Sequence, residues 1–182
     1  MPVKPDTWII KKAQNGMIEP FEPAQVRTGI SFGTSSYGYD FRISNEWQIP
    51  SAATDVILDP KKLPADFFYA ATENEIVIPA GGFVLGRTIE YFRIPRDILT
   101  ICFGKSTYAR CGVFVNVTPF EPEWEGYATI SIINGGNNPV RIYAGEGIAQ
   151  LIFIEAAEIC AVSYADKKGK YQAQKIITTA KT

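Results

Sequence analysis

Residues Phe103 to Asn134, FGKSTYARCGVFVNVTPFEPEWEGYATISIIN, hold the two turns and the strand around which the chain is organised. Gly104-Lys105-Ser106-Thr107 forms a tight turn carrying two hydroxyls and an ammonium. Tyr108-Ala109-Arg110-Cys111 continues it as a short helical turn that Gly112 is placed to end. Backbone that turns at glycine into a helix presents free N–H groups, and Lys105, Ser106 and Thr107 add donors, a combination suited to phosphate. The same spacing fits a plain Gly-capped turn of a β-sandwich. It is not a P-loop, because Leu99 and Thr100 stand where that motif needs its first glycine. The second turn, Glu121-Pro122-Glu123-Trp124-Glu125-Gly126, leads into a strand from Tyr127 to Ile133. Strand alternation sets Tyr127, Thr129 and Ser131 on one face and Ala128, Ile130 and Ile132 on the other.

Outward from this stretch, short apolar runs alternate with Pro and Gly. Before it, the pattern predicts a helix over Thr7–Gly16 and a small extended piece at Ile18–Phe21. It then predicts strands at Tyr39–Ile43, Asp55–Asp59, Glu75–Ile78, Phe83–Thr88, Glu90–Arg93 and Ile98–Phe103, with a loop or short helix over Lys61–Ala71. After it, Gly135-Gly136-Asn137-Asn138-Pro139 reads as a hairpin-type turn. Strands follow at Val140–Tyr143 and Ile148–Ile154. Strands spaced in this way predict an all-β sandwich or jelly roll. At 182 residues the chain is one domain, residues 1–182. From Ser163 to Thr182 the composition turns to Tyr, Lys and Gln with few core residues, which by itself reads as a frayed basic tail.

Composition narrows the chemistry. Lys and Arg total 18 against 19 Asp and Glu, a net charge of −1, so no global field recruits nucleic acid or an anionic membrane. A nucleotide would need a local basic cluster. Cys102, Cys111 and Cys160 are odd in number and lack C-x-x-C spacing, so they read as reduced thiols and not as a disulfide frame or a metal site. With no targeting run and no apolar window of membrane length, the expected compartment is the cytoplasm. The sequence has no histidine. That excludes the zinc-dependent nucleobase deaminases, which need a His/Cys ligand set, and Ser-His-Asp nucleophile systems with them. Acid–base work falls to carboxylates, hydroxyls, Lys or Tyr.

Taken together, Gly104-Lys105-Ser106-Thr107-Tyr108-Ala109-Arg110, the Glu121–Gly126 turn, Ala144-Gly145-Glu146-Gly147-Ile148-Ala149-Gln150-Leu151, Ser36-Tyr37-Gly38-Tyr39-Asp40 and Tyr164–Tyr171 resemble, in order and over nearly the whole chain, the dCTP deaminase branch of the trimeric dUTPase superfamily. The resemblance implies a distorted jelly roll of the dUTPase-like type and an ordered Ser36–Asp40 run. It implies a homotrimer whose active sites are shared between subunits, and a segment 163–182 that closes over bound nucleotide. It also implies hydrolytic deamination of dCTP to dUTP without a catalytic metal, with Mg²⁺ carried on the triphosphate and no zinc. Carried over position by position, Lys105, Ser106, Thr107 and Arg110 serve the nucleotide, with Ser106 and Arg110 also holding the attacking water and developing charge. Thr129 matches a base or sugar contact. Gln150, Tyr164, Lys170 and Gln174 match nucleotide contacts of the closing segments, and Glu121 stands where dUTPases carry an aspartate.

One position departs. Where the family pattern reads T-L-E, with the glutamate taking a proton from water, this chain reads Thr129-Ile130-Ser131. A serine hydroxyl does not accept that proton near neutral pH, and loss of a general base removes roughly 10²–10⁴ in rate. Three readings stay open at this level. They are a deaminase weakened at Ser131 whose base is recruited elsewhere, with Glu121, Glu123 and Glu125 the nearest carboxylates in sequence, a dUTPase-type pyrophosphatase working through Glu121, and a non-catalytic or disabled dCTP/dUTP-binding variant. Phe114, Val115, Val117, Phe120 and Trp124 are candidates for a threefold contact, and would fill a monomer core equally well.

Overall fold

The computed structural model describes residues 2–51 and 57–181. Among these, the elements in chain order are α1 Asp6–Ala13, β1 Ile18–Glu19, β2 Gly33–Ser35, β3 Gly38–Pro50, β4 Phe68–Thr72, β5 Glu75–Ile78 and β6 Phe83–Arg93. They continue with β7 Ile98–Gly104, α2 Ser106–Ala109, β8 Val113–Asn116, β9 Glu125–Asn134, β10 Val140–Tyr143 and β11 Gly147–Glu155. The all-β, dUTPase-like expectation holds.

Nine strands form one sheet whose main path runs β7-β11-β3-β6-β9-β8, with β1 on β6 and both β2 and β4 on β3. β3 is the hinge of this sheet. Its first half pairs with β11, Tyr39 opposite Leu151, and its second half pairs with β6 and β4. The sheet curls until its ends approach: a Cβ on Gly104 of β7 would lie 3.4 Å from Val115 of β8. Alternate residues therefore point into one enclosed core, which Tyr39, Phe41, Trp47, Phe92, Ile130 and Phe153 fill with at most 1% exposure. In β9 the inward set is Ala128, Ile130 and Ile132, while Tyr127, Thr129 and Ser131 face outward and stay half-buried.

Several elements differ from the sequence reading. β3 runs on to Pro50, and Phe83–Thr88 joins Glu90–Arg93 as the single strand β6. Both strands carry register shifts, between Ile43 and Trp47 and between Arg87 and Tyr91, where the polarity pattern breaks without ending the strand. Alternation along β6 continues through this shift and points Glu90 fully inward. Its carboxylate accepts the backbone N–H of Arg42 at 3.0 Å and Arg42 Nε at 2.8 Å. Of the strand expected over Asp55–Asp59, Asp55 and Val56 lie outside the described residues, and Ile57–Asp59 belong to no strand. Gly135–Pro139 is not a hairpin turn, because β9 pairs with β6 and β8 while β10 pairs with β5 in a separate two-stranded sheet. Asn134 holds the crossing, donating from Nδ2 to the carbonyls of Ile78, Pro79 and Asn138. Of the proposed interface residues, Phe120 and Trp124 are core, their ring centroids 4.7 Å apart, whereas Phe114 is 63% exposed.

Candidate active site

The outward face of β9 forms the floor of a cavity of about 270 Å³. Asn116, the run Val117–Glu121, Trp124, Ala128 and Thr129 line it from the sheet and the Glu121–Gly126 turn. Tyr164, Tyr171, Gln174 and Thr178 line it from the C-terminal segment. Four sequence-predicted residues thus converge here: Glu121, Thr129, Tyr164 and Gln174. Glu121 is half-buried, and its Oε2 accepts Lys167 Nζ at 2.5 Å. Thr129 Oγ1 accepts Gln174 Nε2 at 2.5 Å and the Thr178 backbone N–H at 3.0 Å.

The C-terminal segment is tied down, not frayed. Trp124 Nε1 donates to the Tyr171 carbonyl at 2.9 Å, and Gln174 sits beside Gly126 in a parallel bridge. Gly126 has φ 145, and a Cβ there would meet the Gln174 backbone N at 2.9 Å, so only glycine admits this approach. The Tyr127 N–H donates to the Gln174 carbonyl, and the Ala173 N–H to that of Glu125. At the segment's root, Arg96 Nη1 meets Glu123 Oε2 at 2.7 Å and Nη2 meets Asp166 Oδ2 at 2.8 Å. The Ser163 backbone N–H and then Arg96 hold the Asp166 carboxyl below its ordinary range.

Ser131 lines a second chamber, of about 490 Å³, that shares Asn116, Thr129, Tyr171 and Thr178 with the first. In the sheet register it stands between Leu85 of β6 and Asn116 of β8. Among the described residues that line the two spaces, the carboxylates reduce to Glu121. Position 131 therefore faces outward as alternation required, presenting an alcohol to the second chamber beside the cavity.

The helix-motif residues lie elsewhere in the chain's own fold. Ser106 and Thr107 on α2 and Arg110 just past its end are exposed, and Arg110 Nη1 donates to the Ser106 carbonyl at 2.9 Å. Buried Tyr108 anchors this turn by accepting the Tyr143 N–H, and burial pushes its phenol up to about 12. Val113 pairs with Asn134 and Asn116 with Ser131, so α2 lies toward the Asn134 end of β9, about 10 Å along the strand from Ser131. One chain does not gather Ser106, Arg110 and Ser131 around one point.

Lys105 and Gln150 are committed to a third group. Lys105 Nζ contacts Asp40 Oδ2 at 2.7 Å and Ser31 Oγ at 3.0 Å. Gln150 Nε2 donates to Asp40 Oδ1 at 3.1 Å and Ser35 Oγ at 3.0 Å. Asp40 is 2% exposed, so Lys105 neutralises a buried carboxylate and is not a free phosphate ligand in this arrangement. Lys170 also stays outside the cavity, its Nζ on the Lys181 carbonyl and over the Tyr171 ring. Asn116, Tyr171 and Thr178 were missed as lining residues. Asn116 becomes visible only through its pairing with Ser131, whereas the Tyr164–Tyr171 motif already carried Tyr171.

The model of the family described as dCTP deaminase-like matches residues 3–156. The chain is 54% identical, over 182 residues covering all of both chains, to a dCTP deaminase of Acidobacterium capsulatum. It is 54% identical over 187 residues to one of Herminiimonas arsenicoxydans, again over all of both chains. Its fold resembles that of a 2′-deoxycytidine 5′-triphosphate deaminase from Agrobacterium tumefaciens, at TM-score 0.63 and 13% identity, covering 83% of this chain and 47% of that one. This chain thus spans about half the length of that solved protein.

Proposed function

This chain belongs to the dCTP deaminase-like family, and we propose on that premise that it deaminates dCTP hydrolytically to dUTP and ammonia. The observation that carries the reading is the cavity between β9 and the C-terminal segment, where Thr129, Glu121, Tyr164 and Gln174 meet under the Trp124–Tyr171 bond. At about 270 Å³ it falls just below the roughly 300–1,000 Å³ of drug-sized ligand sites, suited to base and sugar alone. The triphosphate, arriving as its Mg²⁺ complex, extends beyond it.

The phosphate donors come from a neighbouring copy. Ser106 and Thr107 on α2 and Arg110 just past its end are exposed away from the cavity, and a homotrimer with shared sites would bring them to it. β7 supports such packing with an exposed apolar row, Leu99, Ile101 and Phe103. Phe103 and exposed Phe114 flank the contact between Gly104 and Val115, so the row continues across that seam. Free thiols at Cys102, Cys111 and Cys160 support a cytoplasmic setting.

Chemistry is slowed at one step. Water adding to C4 of the base must lose a proton, and Ser131 cannot hold it. The deamination rate should then lie about 10²–10⁴ below that of a carboxylate-bearing site. A second reading has one observation in its favour: Glu121, the carboxylate that does line the cavity, could orient water toward phosphorus and give a dUTPase-type pyrophosphatase. Incubation with Mg-dCTP and separation of products tests both readings. dUTP with ammonia supports deamination and a monophosphate supports the second reading. Bound but unchanged dCTP would leave a nucleotide binder.

A further inference from the structure

The chamber beside Ser131 is larger than the cavity assigned to base and sugar, and its walls are of another character. Leu85 stands directly across from Ser131 in the β6–β9 register, and Phe83 is two residues further along the same face. Phe68 packs edge-on against Phe83 with ring centroids 6.1 Å apart, and Phe67 against Phe68 at 4.8 Å. Leu63 completes an apolar wall around a space of about 490 Å³. The two spaces adjoin at the residues that line both, Asn116, Thr129, Tyr171 and Thr178. Ser131 sits on the outward face of β9 two residues beyond Thr129, on the apolar side of that shared boundary.

A long charged side chain at 131 would project into this chamber and set a carboxylate against Leu85. Serine leaves the space clear and lines it with a small hydroxyl. An apolar chamber adjoining a pyrimidine site favours a pyrimidine that carries apolar matter on the edge facing it. We propose that the chamber beside Ser131 receives a small apolar substituent on the amino-group edge of the base. Deoxycytidine triphosphates methylated at C5 or at the exocyclic nitrogen are then ligands of this chain. The inference rests on the preceding reading, in which the base lies at Thr129 with that edge toward Ser131.

One methylene in an apolar pocket is worth roughly 10–200-fold in discrimination, so a chamber that accepts the methyl should show it plainly in binding. The test is calorimetric titration of the full chain with the Mg²⁺ complexes of dCTP, 5-methyl-dCTP and N4-methyl-dCTP, the two methylated arms telling C5 from the exocyclic nitrogen. At least one methylated nucleotide should bind as tightly as dCTP or more tightly. Leu85→Trp, which fills the chamber from the opposite strand, should weaken that nucleotide about tenfold or more while changing dCTP far less. Ser131→Glu, which projects a carboxylate into the same space, should remove the preference as well and serves if the tryptophan variant fails to fold. Tight dCTP binding with both methylated nucleotides bound about tenfold or more weakly would overturn the inference while leaving the deaminase reading standing. Methylated binding that neither variant alters would overturn it too. Failure of dCTP itself to bind would remove the reading of the site, and the inference with it.

Discussion

Ser131→Glu is the most direct probe of the chemistry. The change lengthens an outward-facing side chain that lines the chamber beside the cavity, between Leu85 and Asn116 at the roughly 4.5–5.5 Å separation of antiparallel partners. The new carboxylate would reach into the chamber beside Leu85, toward the boundary that Thr129 and Tyr171 share with the cavity. Leu85 and Phe83 desolvate it, which raises its pKa from the ordinary carboxylate value toward the operating pH, where a general base is most effective. The expected gain in kcat for dUTP formation is about 10²–10⁴, or about 2.7–5.4 kcal/mol of barrier at 1.36 kcal/mol per decade. The carboxylate also burdens folding, by about 0.5–3 kcal/mol, and Tm should fall by about 2–4 °C for each kcal/mol in a chain of this size. The assay is the initial rate of dUTP formation at saturating Mg-dCTP, with affinity and Tm measured on the same preparation. A folded variant that binds dCTP as before and turns it over no faster would refute the reasoning. Position 131 would then not face the attacking water.

The remaining expectations concern the frame around the site. Glu90→Gln removes the nearest charge partner of the Arg42 guanidinium, leaving it only Glu22 at 4.0 Å, and should cost about 3–5 kcal/mol in urea unfolding; a loss below about 1 kcal/mol would show that the pair behaves as an exposed one. Lys105→Met strands the carboxylate of Asp40 at 2% exposure, so it should lower Tm sharply as well as affinity; weaker dCTP binding at unchanged Tm would instead mark Lys105 as a phosphate ligand. Arg96→Ala unfastens the root of the C-terminal segment and should raise KM for dCTP about two- to fivefold with little change in kcat, alongside faster amide exchange over residues 163–174. The carboxyls of Glu46 and Asp166 are held below their usual range, Glu46 by the Arg87 hydrogen bond and Asp166 by the Ser163 N–H and Arg96. Their contribution to stability is therefore complete above about pH 4, the unfolded carboxylate value, and declines as pH falls through the lower folded values. Thermal unfolding followed from pH 6 downward should show that loss, and Arg96→Ala should make it shallower.

Local chemistry made much of this protein legible in its residues. Period-two alternation in Glu125–Asn134 fixed which side chains of β9 face the core and which face the cavity, because successive Cβ atoms must point to opposite sides of a pleated strand. The same rule set Ser131 beside Thr129, and Pro and Gly punctuation marked most of the strands. The Tyr, Lys and Gln of the C-terminal segment announced a role other than core packing. Tertiary structure decided what these groups meet. Only strand pairing could place Leu85 and Asn116 on either side of Ser131, bring Arg42 to the inward Glu90, or show that β10 leaves β9 to pair with β5. Lys105 looked like a phosphate donor because its neighbours in sequence are donors. Its partner Asp40 lies 65 positions away, and a buried carboxylate claims the nearest ammonium before any solvent-borne ligand can. Which cations stay free to grip a triphosphate, and which cavity an outward-facing serine opens onto, depend on contacts between distant strands, and no local pattern encodes those contacts.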